Sequence, residues 1–157
     1  MSREDEFFQR VATRKVARPR VAAIIISNGQ LLVQRPNDDP KACYAFIGGE
    51  YELGDTFASR LSAEIDEETT ARLRGAEYLF VVENRFKHGG VFVHGLEHYF
   101  LAELDRHEVQ SRESYLAFHW LPMNRLAAFD LRPHIVRDAI VSGEYTRLRH
   151  LVVPFTP

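Results

Sequence analysis

Apolar positions fall into two kinds of pattern along this chain, and the change from one to the other marks out its elements. The runs RVAAIIIS and QLLVQRP are β-branched and aliphatic, and Asn28-Gly29 between them is a strong short hairpin signal, so two antiparallel strands are predicted. PNDDPKAC, with two prolines and two aspartates, reads as a loop that rims a site, and YAFIGG as a short strand entering flexible backbone. From Asp55 to about Thr70 the period changes. Phe57, Leu61 and Ile65 recur four residues apart, which predicts a helix with Asp55 or Thr56 as N-cap. AEYLFVVENRF and VFVHGLEHYFLAEL predict long strands joined across Lys87-His88-Gly89-Gly90. YLAFHWL is a further strand, and PMNRLAAF and RPHIVRDAIVSG are helical. Residues 1–15, acids and bases around Phe7-Phe8, form an N-terminal extension, either a short helix on the domain or a loose arm; residues 16–157 form one domain. Strands, helix, strands, helices in that order predict an α/β fold with a mixed sheet and helices on its faces.

Composition narrows the function classes. In 157 residues the formal net charge is only -2, with 45% hydrophobic and 27% charged residues, so no bulk charge draws the chain to extended nucleic acid or acidic membrane. A polyanionic partner must be gripped locally. Cys43 is the only cysteine and cannot form an intrachain disulfide; with a start, MSREDEFFQR, too charged for a signal peptide, a cytoplasmic location is expected. The run VAAIII is far short of the roughly 20 apolar residues that span a bilayer. A soluble protein with no membrane partner is expected.

The predicted helix carries an apparent defect. At about 100° per residue, Glu64, Glu67 and Glu68 share one face and repel one another. Read alone, EIDEE is a solvated acidic face; a hard divalent cation with oxygen ligands would reverse the sign of the repulsion. Gly48-Gly49, ahead of this helix, allow the backbone to approach a ligand closely or to adopt positive φ, so a loop carbonyl can complete a metal shell.

The stretch GGEYELGDTFASRLSAEIDEETTA, residues 48–71, resembles the Nudix box, G-x5-E-x7-R-E-U-x-E-E-x-G-U with U aliphatic. Gly49 matches the first glycine, and Glu64, Ile65, Glu67 and Glu68 match E-U-x-E-E. The resemblance covers about Arg18 to Val153 and implies an α/β/α sandwich with a mixed sheet, in which a loop, helix and loop bind Mg²⁺, with Mn²⁺ as the alternative, beside a pyrophosphate. It implies that Glu64, Glu67, Glu68 and the Gly49 carbonyl hold metal, with Glu64 and Glu67 as catalytic candidates and Glu64 the best placed to orient or deprotonate water. Gly48 is assigned to substrate.

Four positions depart from the pattern. Asp55 stands for the first box glutamate and Ala63 for the arginine; Thr70 and Ala71 replace the closing glycine and aliphatic residue. In the family that glutamate and arginine brace the loop on the helix. Here Asp55 is free to cap the helix, and Arg60 is either a replacement brace or a solvated surface arginine. Thr70 cannot take positive φ cheaply, so the helix must end differently.

Outside the box, alternation in VFVHGLEHYF puts Gly95 and Glu97 on one face. Related domains often carry a glutamate at the Gly95 position, so Glu97 is a metal candidate, against a solvent-facing strand glutamate. Glu83 touches substrate or caps a strand edge, and Arg35 grips phosphate or is an ordinary surface arginine. His88, His94 and His98 lack zinc-motif spacing, and Tyr44, Phe46 and Trp120 read as core aromatics before base-stacking ones. The resemblance implies Mg²⁺-dependent hydrolysis of a diphosphate linkage in a nucleoside diphosphate derivative, with a homodimer as the common assembly. The rival is a weakened domain that binds or senses a nucleotide.

Overall fold

The computed structural model describes residues 1–157. In chain order the elements are α1 (Arg3–Thr13), β1 (Arg18–Ile24), β2 (Ile26–Ser27), β3 (Gln30–Pro36), β4 (Tyr44–Ala45), β5 (Ile47–Glu50), α2 (Phe57–Glu68), β6 (Leu73–His88), β7 (Val91–Leu104), β8 (Leu116–Pro122), β9 (Leu131–Arg132), α3 (His134–Ser142) and β10 (His150–Val152). Two short 3₁₀ turns, Met123–Ala128 and Glu144–Thr146, flank the last part. The larger sheet runs β10-β6-β7-β1-β5 and is mixed, with β1 parallel to β7 and antiparallel to β5. The smaller sheet joins β2, β3, β4 and β9, with β8 also on β3.

Alternation along β1 divides the core. Ala22 and Ile24 enter one apolar cluster with Val136 and Ile140 of α3, while Val21, Ala23 and Ile25 enter another with Leu61 and Ile65 of α2. Helices therefore cover both sides, as an α/β/α sandwich requires. Phe46 is buried in the first cluster, and Tyr44 and Trp120 pack half-buried against the two clusters.

Several elements differ in detail from the sequence expectation. The Asn28-Gly29 turn is present, with φ of 51° and 71°, but only Ile26 and Ser27 pair with β3 across it. The chain switches sheets near Ile25, because Arg18–Ile24 pairs instead with β7 and β5. YAFIGG likewise splits at Phe46 between the two sheets. The two- and three-residue strands β9 and β10 are too short to show a period. Of the two N-cap candidates, Thr56 takes the role: its hydroxyl accepts from the Ser59 N–H at 3.0 Å and the Ser59 hydroxyl accepts from the Thr56 N–H at 2.9 Å. The N-terminal extension is a helix, closed by a capping box between Ser2 and Asp5.

Candidate active site

The first turns of α2 are held by one side chain. Arg60 donates from Nε to Asp55 at 2.7 Å, from Nη1 to Glu64 at 3.1 Å and from Nη2 to Glu52 at 3.1 Å. Only 12% of the Arg60 side chain is exposed, and its Asp55 and Glu64 partners are largely covered while Glu52 is open to solvent, so this is a partly buried three-carboxylate junction and not a solvated arginine. It is the replacement brace: a guanidinium one turn before Glu64 ties the loop after β5 to the helix, as a side chain at Ala63 does not. Asp55 does not cap the helix. It accepts from Arg60 and from the Glu52 N–H, and these hold its carboxyl below the usual aspartate range.

The other end of α2 is different. Its last residue, Glu68, is pushed up to about 8, chiefly by burial, then by the charges of Glu64 and Glu113, against an opposing pull from Arg20. Its Oε2 is buried and has no hydrogen-bond partner. Burial also raises Glu64, opposed by Arg60. Glu67 is exposed. Without a glycine, the helix ends at Thr69 in an extended conformation, φ -130°. The Thr69 hydroxyl donates to the Ile65 carbonyl at 2.8 Å, and the Arg112 N–H donates to the Glu68 carbonyl at 2.8 Å. A side chain thus satisfies what a left-handed residue otherwise would, and the same Arg112 segment delivers Glu113 to the acidic end.

Neither Gly48 nor Gly49 has positive φ; close approach is what requires them. A Cβ on Gly49 would overlap the Glu64 carboxylate, and one on Gly48 would overlap the Val21 carbonyl oxygen. Gly49 is therefore fitted to Glu64, while Gly48 is fitted to the sheet.

Beside this edge lies a polar floor on the larger sheet. Glu97 is 4% exposed, which removes the solvent-facing alternative. Its Oε1 accepts from Arg20 at 3.3 Å and Asn84 at 3.2 Å, and its Oε2 from the Tyr99 hydroxyl at 3.1 Å. Arg20 Nε is buried without a partner. Next to it, Arg18 donates to Glu50 at 2.9 Å. Arginines in this position were legible only as RPR before an apolar run, and Arg20 and Glu113 are the charged residues that sequence reasoning passed over.

Arg35 and Glu83 make their contacts elsewhere. The Arg35 guanidinium lies 4.8 Å from the Tyr44 ring centre, and Glu83 pairs with His150 at 2.7 Å on the β6–β10 edge. His88 bonds Asp5, His98 stacks on Phe57, and His94 Nε2 is buried without a partner.

The acidic residues suit a hard cation in donor type, and two observations support the fit: the orphan buried oxygen of Glu68, and the backbone of Gly49 opened against Glu64. No three or more His, Cys, Asp or Glu side chains are gathered closely enough to hold a metal ion by themselves.

The chain matches the NUDIX domain over residues 17–139. No curated protein matches it. Among solved structures, the Escherichia coli ORF135 protein is 26% identical with a TM-score of 0.51, over 83% of this chain and 93% of that one. A MutT NUDIX hydrolase from Burkholderia pseudomallei is 24% identical with a TM-score of 0.62, over 80% and 96%. The NUDIX domain of Shewanella oneidensis NrtR, complexed with ADP ribose, is 13% identical with a TM-score of 0.64, over 92% and 98%.

Proposed function

This chain belongs to the NUDIX domain family and is a Nudix hydrolase, and on that premise we propose that it hydrolyses, with Mg²⁺ or Mn²⁺, a diphosphate linkage in a nucleoside diphosphate derivative. The observation that carries the reading is Glu68: a carboxylate buried beside Glu64, with a free oxygen and no structural partner, is costly unless a ligand uses it. Glu64, Glu67, Glu68 and the Gly49 carbonyl would hold the metal, which supplies charge neutralisation and an activated water. Glu64 is the residue to orient that water, since Arg60 and the Gly49 backbone fix its carboxylate from two sides. Arg20, with an unused buried N–H, is the chain's own donor to a phosphoryl oxygen, and Asn84, Tyr99 and Glu97 set its orientation.

A second reading has one observation in its favour. Arg60 already occupies an oxygen of Glu64, so the domain would bind a nucleotide and turn it over weakly. A panel with Mg²⁺ and with Mn²⁺, including nucleoside triphosphates, nucleotide sugars, dinucleoside polyphosphates, capped RNA ends and the ADP-ribose suggested by the NrtR structure, separates them. Metal-dependent release of a phosphate product supports the hydrolase reading, and tight binding without turnover supports the rival.

A further inference from the structure

Helix α1 lies outside the segment that matches the family, and it sits on the polar floor. Register places Asn84, Phe86 and His88 on the same face as Val93, Gly95 and Glu97. Phe8 packs on Phe86 and His88, with ring centres 5.4 and 4.7 Å apart. Asp5 meets His88 at 2.7 Å, and Phe7 lies 5.1 Å from the Arg18 guanidinium. Arg14, just after the helix, donates to Glu50 at 2.9 Å. At the other end, the Arg3 N–H donates to Asp38 of the rim loop at 3.3 Å, and its guanidinium covers the Tyr115 ring at 4.4 Å. One short helix thus ties the β6–β7 hairpin, β1, β5 and the rim loop together across the cleft.

Its attachment is weak and its charge is of the wrong sign for the substrate. Val11 is its only buried residue, and an open groove of about 490 Å³ separates the helix end from Val91 and Val93. Most of its ties are polar and partly exposed, the mark of an element that opens locally at low cost. Its first turn holds Glu4, Asp5 and Glu6. Glu4 is half-buried, and its carboxyl is raised by burial and by the charges of Asp39, Asp5 and Asp38, with His88 opposing. A diphosphate cannot share that space without like-charge repulsion in a shielded setting.

We propose that α1 is an autoinhibitory cover over the substrate cleft, and that a nucleoside diphosphate ligand binds when α1 swings off the floor. The proposal rests on the diphosphate-hydrolase reading. Since only the open form binds, apparent affinity is the intrinsic affinity scaled by the open fraction. Loosening α1 must therefore tighten binding.

The test uses the full chain, with Mg²⁺ and α,β-methylene-ADP as a non-hydrolysable probe, in wild type and in Phe8→Ala, His88→Ala and Asp5→Ala, each of which removes a tie that holds α1 down. Calorimetric titration should show the probe bound about three- to tenfold tighter by each variant. Hydrogen exchange should show α1 amides losing protection in wild type when the probe is added. Equal or weaker binding by Phe8→Ala and His88→Ala, or a gain of α1 protection with the probe, overturns the cover while leaving the hydrolase reading standing. No binding by any of the four proteins overturns both.

Discussion

The two ends of α2 carry similar charges and treat them in opposite ways. At the N-terminal end, Glu52, Asp55 and Glu64 surround Arg60, and each acid has a hydrogen bond from it. At the C-terminal end, Glu68 faces Glu64 and Glu113 with a buried oxygen unpaired. An isolated surface ion pair is worth about 0–1 kcal/mol, but a partly buried junction joining loop and helix fixes geometry as well. An unpaired buried carboxylate does the reverse and gives up stability. The difference marks which end is scaffold and which is chemistry, and Glu64, the residue common to both, is where the scaffold positions the chemistry.

If that division is right, the largest effect comes from the unpaired end. Glu68→Gln should lower metal-dependent hydrolysis by at least about a hundredfold, since metal charge stabilisation supplies several kcal/mol. The same change removes a carboxyl whose charged form is disfavoured by burial and by Glu64 and Glu113, and which folding must therefore protonate at neutral pH. Thermal unfolding in chelator at that pH should show the variant at least as stable as wild type. A variant that unfolds earlier would make Glu68 scaffold and erase the contrast. Next in size, Mg²⁺ at about ten times its dissociation constant should stabilise the wild type by about 1.4 kcal/mol through mass action, read as a rise in Tm, with much of the rise missing in Glu68→Gln. An unchanged Tm across millimolar Mg²⁺ would return α2 to an ordinary acidic face.

The paired end is tested by Arg60→Ala. Losing the junction should lower Tm by roughly 2–5 °C, and supplying the arginine at the family position, as Arg60→Ala with Ala63→Arg, should recover part of it. No loss on Arg60→Ala would mean that the brace contributes no more than any surface ion pair.

How much of this was legible follows from the range of the interactions. The period of Phe57, Leu61 and Ile65 announced α2 because it is a local pattern, and the resemblance of residues 48–71 announced the glutamates because spacing along one helix fixes their face. Arg60 was readable as a brace for the same reason, being four residues from Glu64. The altered helix end was foreseen in Thr70, but not the means. Arg112 and Glu113 reach α2 across more than forty residues of sequence, and no periodicity reports such a return. Arg20 was hidden too, since its neighbour Glu97 comes from a parallel strand 77 residues on. Even β1 was misassigned to a simple hairpin, because pairing with β5 and β7 outweighed a correct turn signal.

The smallest predicted effect is the most specific to the comparison, because it asks whether the paired end is held by charge. Arg60 is the first cause of the lowered Asp55 carboxyl, with the Glu52 N–H second. A carboxylate whose folded value lies below its unfolded value of 3.8 contributes stability that is fully present above 3.8 and disappears as pH falls through the depressed folded value. In Arg60→Ala the first cause is gone, so most of that contribution is absent at every pH. The Tm difference between wild type and Arg60→Ala should therefore be constant near neutrality and shrink as pH drops below about 3.8, where wild-type Asp55 also takes up its proton. Melting curves from pH 7 down to 2.5, in chelator so that metal binding does not enter, measure it. Glu68→Gln supplies the control from the other end: it leaves the Arg60 junction intact, and below about pH 4.5, where Glu68 is protonated in the folded and unfolded chain alike, it should run parallel to wild type. A Tm difference for Arg60→Ala that stays the same down to pH 2.5 would show that the arginine acts by packing its stem against the helix and not by pairing with Asp55, and the two ends of α2 would then differ in burial alone.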